Sequence, residues 1–182
     1  MLHSRHYLDI STPDLMFGAS GFLNRQDGTR ITQSLESDIG AKAMITFSVR
    51  SAWDLILSAL DLPVGSEIIM SAVTIPHMAR IAEAHGLIPV PVDLDPATMA
   101  PDPSLFSRAF NSSTRLVMLA HLLGGRFDIH PYARIAAKHG VPIIEDCAQA
   151  FEGPLYWGSP LATASLVSFG SIKTSSSLGA AV

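Results

Sequence analysis

Residues 115–144, RLVMLAHLLGGRFDIHPYARIAAKHGVPII, carry the pattern that decides the fold. The apolar run Arg115–Ala120 predicts a buried strand, the spacing within Ile129–His139 predicts a helix, and Val141–Ile144 predicts the next strand. Strands and helices alternate in the same way from about residue 44 to residue 145. This alternation indicates an α/β domain with a largely parallel sheet.

The flanking sequence divides the chain into two parts. Residues 1–40 show little periodicity, and we expect an N-terminal arm and a short helix there, followed by one domain over residues 41–182. Prolines in Leu87–Val92 make that segment a poor central strand. The other predicted helices are Thr32–Lys42, Arg50–Leu60 with Ser48 as its cap, Pro76–His85 and Asp102–Phe110, and the other predicted strands are Glu67–Met70 and Ala164–Phe169.

The composition is typical of a globular enzyme-sized domain and disfavours several other classes. Hydrophobic residues make up 48% and charged residues 15% of the 182 residues, which suits a buried core. The net charge of -4 gives no reason to expect a nucleic-acid partner. The single Cys147 fits a reducing compartment, and no apolar run reaches the length of about 18 residues that a membrane span requires. We therefore expect a cytoplasmic protein without a membrane partner.

Three places could carry chemistry. Two of them lie at the carboxyl ends of predicted strands, where ligands of open α/β sheets bind, and the third is a helix N-terminus that could face them. Glu145 and Asp146 directly follow an apolar strand, and Lys173 follows another strand within a loop of small and hydroxylated residues. A lysine in such a setting can have a lowered pKa and form a Schiff base. Arg50 and Ser51 lie at a predicted helix N-terminus, which could bind an anion.

Each of these places also has a structural interpretation. The two acids could equally cap a helix or form a loop salt bridge, a single lysine is usually a solvated surface charge, and the helix start alone is better explained by capping. His121 could line a pocket or be a structural histidine. The seven histidines lack a metal-ligand spacing, and the chain has no glycine-rich nucleotide fingerprint, so we expect no metal site and disfavour a plain nucleotide-binding domain.

Taken in order, the three places resemble a known family. After the helix start come IEDCAQA at residues 144–150, SFGSIK at residues 168–173 and LGAAV at residues 178–182. This sequence is similar to the DegT/StrS-type sugar aminotransferases, which depend on pyridoxal phosphate (PLP) and belong to the aspartate-aminotransferase fold type. The resemblance covers roughly residues 30–182 and includes segments 62–69, 90–95 and 114–124.

The resemblance implies a fold and a set of roles. The fold would be the three-layer α/β/α large domain of PLP transferases, with a mostly parallel mixed sheet. Lys173 would form the internal aldimine, and Asp146 would pair with the pyridine nitrogen of the cofactor. Gln149 would pack against the cofactor ring. The phosphate would be held by Ser168 and by the segment that contains Arg50 and Ser51.

The sequence departs from the family pattern at three points. Val49-Arg50 replaces the usual Gly-Thr, and no aromatic residue lies near Ile75, so that His77 or aliphatic contacts would take the place of ring stacking. The chain is also about half the usual length, so we expect the C-terminal small domain to be missing. We expect the strand predicted at Leu178–Val182 to leave an unpaired edge, with poor solubility or dependence on a partner as the result.

The resemblance implies an aminotransferase that moves an amino group from an amino acid, glutamate first among the candidates, to a keto sugar or a similar carbonyl compound. Family members are usually homodimers, so a homodimer acting on small molecules is expected. A PLP-dependent lyase or aldolase is the nearest alternative. A truncated, non-catalytic relative that serves as a regulator or scaffold is the alternative from another class.

Overall fold

The computed structural model describes residues 10–23, 28–39, 43–151, 153, 155–170, 173 and 180–182. Apart from Lys173 itself, the loop predicted around Lys173 lies mostly outside these residues. The helices are α1 (Thr12–Leu23), α2 (Gly28–Ile39), α3 (Val49–Leu60), α4 (Pro76–Ala84), α5 (Pro103–Arg108) and α6 (His130–Lys138). The strands are β1 (Glu67–Ser71), β2 (Ile88–Val92), β3 (Thr114–Ala120), β4 (Ile143–Asp146) and β5 (Ala164–Leu166).

The strands form one parallel sheet in the order β2-β1-β3-β4-β5. The proline-containing strand β2 lies at an edge, as its sequence predicts. Proline has no N–H to donate to a neighbouring strand, and an edge strand needs such bonds on one side only. Strand β3 lies at the centre, and its residues Leu116–Ala120 are buried, which fits its continuous apolar sequence. The predicted α/β class with a parallel sheet is confirmed.

An antiparallel segment extends the sheet beyond β5. Ala181 pairs with Ser168 on one side and with Thr46 on the other, and it is fully buried. Backbone hydrogen bonds from Val167 to Val182 and from Thr46 to Ala181 hold the segment in place. The sheet is therefore mixed, as expected. The expectation of an unpaired edge is wrong for residues 180–182, because residues 46–47 fold back to cover that side.

Helices cover both faces of the sheet, so the domain has three layers. Alternate residues of each strand point to opposite faces, and the two faces contact different helices. One core contains Trp53 of α3 and Met78 of α4. The other contains Phe106 of α5 and Tyr132 of α6, whose rings meet edge to face at 5.1 Å between centroids. These layers confirm the predicted α/β/α architecture.

Helix α3 begins at the predicted cap. Ser48 has an extended backbone, and its Oγ accepts a hydrogen bond from the Ser51 N–H at 3.2 Å. Inside the helix, the fully buried Trp53 donates its indole N–H to the Met78 carbonyl at 3.0 Å. This bond joins α3 to α4 and sets the position of the α3 N-terminus over the sheet.

Several predicted boundaries are wrong. Residues 12–23 form helix α1 where we expected an irregular arm, and the missed signal is a capping box in which Ser11 N–H bonds Asp14 at 2.8 Å. Helix α2 begins at Gly28, four residues before the predicted Thr32. Strand β5 ends at Leu166, short of Phe169. None of the helices in the described residues has the length and apolar character that crossing a bilayer requires.

Strand β4 also differs from its prediction. It runs from Ile143 to Asp146, so the two carboxylates belong to the strand and do not follow it. Glu145 and Asp146 pair with Leu119 and Ala120 of β3 and with β5 on the other side. Hydrogen bonding from both neighbours therefore extends the strand through two acidic residues, which a propensity argument places in a loop.

Trp53 should be a main source of stability. We expect Trp53→Ala to lower the free energy of unfolding by about 3–5 kcal/mol, because it leaves a cavity and removes the bond to Met78. Urea denaturation of both proteins measures the difference. Leu55→Ala, on the exposed side of the same helix, is the control and should change it by no more than about 0.5 kcal/mol. Equal losses in the two variants would contradict this packing.

Candidate functional site

A cavity of about 740 Å³ lies at the carboxyl ends of the strands. This volume is in the range of about 300–1,000 Å³ that is usual for small-molecule sites. The candidate site residues Arg50, His121, Asp146, Gln149, Ser168 and Lys173 line it together. The fold thus brings together residues that are 123 positions apart in the sequence.

Asp146 is the last residue of β4 and lies in the cavity wall, with 8% of its surface exposed. Its Oδ1 accepts a hydrogen bond from the Ala148 N–H at 2.9 Å, while Oδ2 has no partner among the described residues. Burial raises the pKa of this carboxyl above its ordinary value, although the Ala148 bond and the nearby charge of Lys173 act in the opposite direction. The free oxygen can accept a hydrogen bond from a ligand.

Lys173 is half-buried and lines the same cavity. Burial lowers the pKa of its amine, and the negative charge of Asp146 opposes that shift. The Lys173 backbone N–H donates to the Gly170 carbonyl at 3.0 Å, in a turn that follows Ser168. A lysine with a lowered pKa keeps more of its amine neutral near pH 7, which is the nucleophilic form.

The N-terminus of α3 contributes Arg50 but not the Ser51 side chain. Arg50 lines the cavity and is exposed to it. Ser51 is not among the lining residues, because its N–H and hydroxyl are both directed to the capping Ser48 Oγ, at 3.2 and 3.0 Å. At the predicted anion site of this helix start, the residues that line the cavity are therefore Ser48, Val49 and Arg50.

Two further predicted features take definite positions. The Gln149 side chain accepts a hydrogen bond from the Leu123 N–H at 3.1 Å, so it ties the turn after β4 to the loop after β3. His77 is exposed and is not among the lining residues, whereas Val73 and Ile75 are. Of the two arrangements left open by the sequence, aliphatic contact is therefore the one that the cavity wall offers.

Sequence reasoning missed the role of Glu145. Its carboxylate is fully buried and accepts hydrogen bonds from His121 Nε2 at 2.6 Å, from the Ser159 N–H at 2.6 Å, from Ser165 Oγ at 3.1 Å and from the Tyr156 hydroxyl. Burial alone would raise its pKa, but the bonds from His121, Tyr156 and Ser159 outweigh burial and hold the pKa below its ordinary value. Adjacent residues of a strand point to opposite faces of the sheet. This alternation is the sequence signal that could have assigned different roles to Glu145 and Asp146.

His121, Glu145 and Cys147 also place their side-chain ligand atoms within 4.8 Å of one another. Both oxygens of Glu145 are occupied by protein donors, and burial raises the pKa of the Cys147 thiol. A metal ion needs the thiolate and free carboxylate lone pairs. His121 and Glu145 are therefore hydrogen-bonded partners, and Cys147 lies beside them as a buried thiol.

The fold and the cavity together define a class of protein. It is an α/β/α domain whose mixed sheet carries a cavity with a lysine and a carboxylate at the carboxyl ends of its strands. The sequence profile of the DegT/DnrJ/EryC1/StrS aminotransferase family matches residues 26–179, and the chain belongs to this family. The resemblance seen in the sequence motifs is thereby confirmed.

Individual relatives agree with this assignment. The chain is 36% identical over 94 residues to the L-glutamine:2-deoxy-scyllo-inosose aminotransferase of Micromonospora echinospora, covering 52% of this chain and 22% of that protein. It is 33% identical over 152 residues to the UDP-2-acetamido-2-deoxy-3-oxo-D-glucuronate aminotransferase of Pseudomonas aeruginosa, covering 83% and 42%.

The solved structures show the same fold. Spr1654 of Streptococcus pneumoniae, described as a sugar aminotransferase in its PLP form, has a TM-score of 0.83 at 19% identity, covering 100% of this chain and 52% of that protein. The chain spans from about a fifth to about half the length of these three proteins.

The lowered pKa of Lys173 can be measured by chemical labelling. With trinitrobenzenesulfonate at a series of pH values, the labelling of Lys173 should reach half its maximum at a lower pH than that of N-acetyl-lysine amide, because only the neutral amine reacts. Peptide mass spectrometry separates Lys173 from the exposed Lys138, which shows that the reagent is active. A midpoint above that of the free amine would contradict the described surroundings of Lys173.

Proposed function

We propose that this chain is the cofactor-binding part of a PLP-dependent aminotransferase. The observation that carries the proposal is the presence, in one cavity, of an amine with a lowered pKa and a buried carboxylate with a free oxygen. Family membership supports the same chemistry. In this proposal residues 41–182 form the large PLP-binding domain, and residues 1–40 form an arm that precedes it.

The residues of the cavity fit the cofactor. PLP presents a carbonyl carbon to a lysine, a pyridine nitrogen to a carboxylate and a phosphate to basic or N–H groups. Lys173, Asp146 and Arg50 offer these three kinds of partner around a cavity of sufficient size. When bound, the cofactor supplies an electron sink for the electrons released at the substrate carbon.

Lys173 and Asp146 have separate tasks in this proposal. Asp146 would accept a hydrogen bond from the protonated ring nitrogen of the cofactor at its unpartnered Oδ2, which would favour the charged form of the carboxyl. Lys173 would hold the cofactor through its Nζ. When free, this amine would move a proton as a general base and acid.

The phosphate would be held at the edge of the cavity. Arg50 brings a positive charge beside the start of α3, where the helix dipole also favours an anion. Ser168 also brings a hydroxyl to the cavity lining, Ser51 stabilises the helix start through its contacts with Ser48, and Gln149 ties the turn after β4 to the loop after β3. These residues would hold and orient the cofactor.

The substrates are proposed from the relatives. By their names, the two curated relatives act on an inosose and on an oxo-glucuronate, so a cyclic carbonyl compound such as a keto sugar is proposed as the acceptor. Glutamate is proposed as the amino donor, with glutamine as its direct competitor because one relative's name specifies it. We also propose a homodimer.

Cofactor binding has a direct spectroscopic test. Titration of the purified chain with PLP should produce a new visible absorption band that borohydride removes, because the Lys173 amine bonds the cofactor. Lys173→Ala should lack the band, whereas the exposed-site control Lys138→Ala should keep it. An identical band in Lys173→Ala and in the unchanged chain would sink the assignment of Lys173.

The reaction type is tested by products. Incubation with PLP, glutamate and a keto sugar should yield 2-oxoglutarate and an amino sugar in equal amounts, with glutamine run in parallel to decide the donor. Release of ammonia without an amino sugar would favour a lyase. Cofactor binding without any turnover would favour the non-catalytic relative.

A further inference from the structure

We infer that Glu145 is a positioning residue that fixes the Asp146 carboxylate in the cavity by joining the carboxyl ends of β3, β4 and β5. The inference rests on the proposed function, because it takes Asp146 as the partner of the cofactor. It concerns a side chain outside the cavity lining, since the Glu145 carboxylate is fully buried and Glu145 is not among the lining residues.

The donors to Glu145 come from separate parts of the fold. His121 follows β3, Tyr156 and Ser159 lie in the loop between β4 and β5, and Ser165 belongs to β5. Oε1 accepts from His121 and Tyr156, while Oε2 accepts from Ser159 and Ser165. Since a carboxylate has about four acceptor positions, all of them are used.

The loop approaches Glu145 closely enough to require a glycine. Gly158 has a φ of +116°, and a Cβ built there would lie 1.9 Å from Ser165 Oγ and 3.1 Å from Glu145 Oε2. No larger residue fits between the loop and the carboxylate without a shift of the backbone. The close contact therefore holds the loop against the strand and excludes water from the charged group.

His121 connects the carboxylate to the backbone of Asp146. Its Nδ1 accepts from the Phe127 N–H at 3.4 Å, so Nε2 carries the proton that is donated to Glu145. Its own backbone N–H donates to the Asp146 carbonyl at 3.0 Å. Both ring nitrogens are thus engaged within the protein. His121 is among the residues that line the cavity, and its backbone bond contributes to the position of Asp146.

Asp146 depends on this support because it has few contacts of its own. Its side chain has one hydrogen bond, from Ala148, so the strand backbone decides where the free Oδ2 lies. Glu145 precedes it on β4 and anchors that backbone from the opposite face of the sheet. Loss of the anchor should therefore move the carboxylate and weaken its bond to the pyridine nitrogen.

Glu145→Gln tests the inference because it keeps the size of the side chain. One end of the amide must present its NH₂ to a pair of donors, either His121 and Tyr156 or Ser159 and Ser165. We expect the Kd for PLP, measured by the visible band, to rise about tenfold or more. We also expect the pH at which that band titrates to shift, because a displaced Asp146 no longer holds the pyridine nitrogen protonated.

Tyr132→Phe is the matched control. It removes a buried hydroxyl that donates to the Pro101 carbonyl and that makes no bond to Glu145 or to a cavity-lining residue, and it should lower the melting temperature without changing the Kd or the pH titration. If Glu145→Gln behaves like this control, Glu145 is only structural and the inference is overturned.

Tyr156→Phe covers the case in which Glu145→Gln does not fold. It removes one donor and leaves the carboxylate, so a smaller shift in the same direction is expected. A folded Tyr156→Phe with an unchanged Kd for PLP and an unchanged pH titration of the visible band would overturn this inference. It would leave the proposed function standing, since PLP still binds. Absence of the visible band from the unchanged chain would contradict the proposed function together with it.

Discussion

The structure depends on how two adjacent carboxylates of β4 are compensated at the buried edge of the sheet. Glu145 satisfies its charge entirely with protein donors, whereas Asp146 keeps one oxygen free in the cavity. Burying an ionised group costs several kcal/mol unless it is paired or hydrogen-bonded, so the first carboxylate anchors the strands and the second retains a demand for a partner. In the proposed function, a bound cofactor meets that demand.

The sheet topology assembles the remaining parts of the site. Parallel strands place their carboxyl ends at one edge, so the residues after β1, β3 and β4 meet there. The antiparallel return at Ala181 closes the sheet between Thr46 and Ser168. The start of α3 and Lys173 both line the cavity that forms beside this return. Arg50 and Lys173 thus become neighbours of Asp146 through the backbone pairing of residues that lie far apart in the sequence.

Much of this arrangement could be read from the sequence, because strong patterns reflect local physics. The apolar run of β3, the prolines of β2 and the cap at Ser48 each have one dominant cause, and the structure confirms them.

The extent of β4 through Glu145 was not predictable, since hydrogen bonds from two neighbouring strands override the low propensity of acidic residues. Helix α1 was missed although Ser11 and Asp14 form a capping box, because its residues show no apolar face to reveal it. The donors around Glu145 come from four positions that share no sequence pattern.

The proposal that Lys173 bonds PLP in a cavity lined by Asp146 is tested most directly by saturating the chain with PLP, reducing it with borohydride and locating the added mass by peptide mass spectrometry. We expect one stable phosphopyridoxyl group per chain, on Lys173, with Asp146→Asn giving much less of it at limiting PLP. A label spread over Lys42 and Lys138, or one on Lys173 that is unaffected by Asp146→Asn, would contradict it.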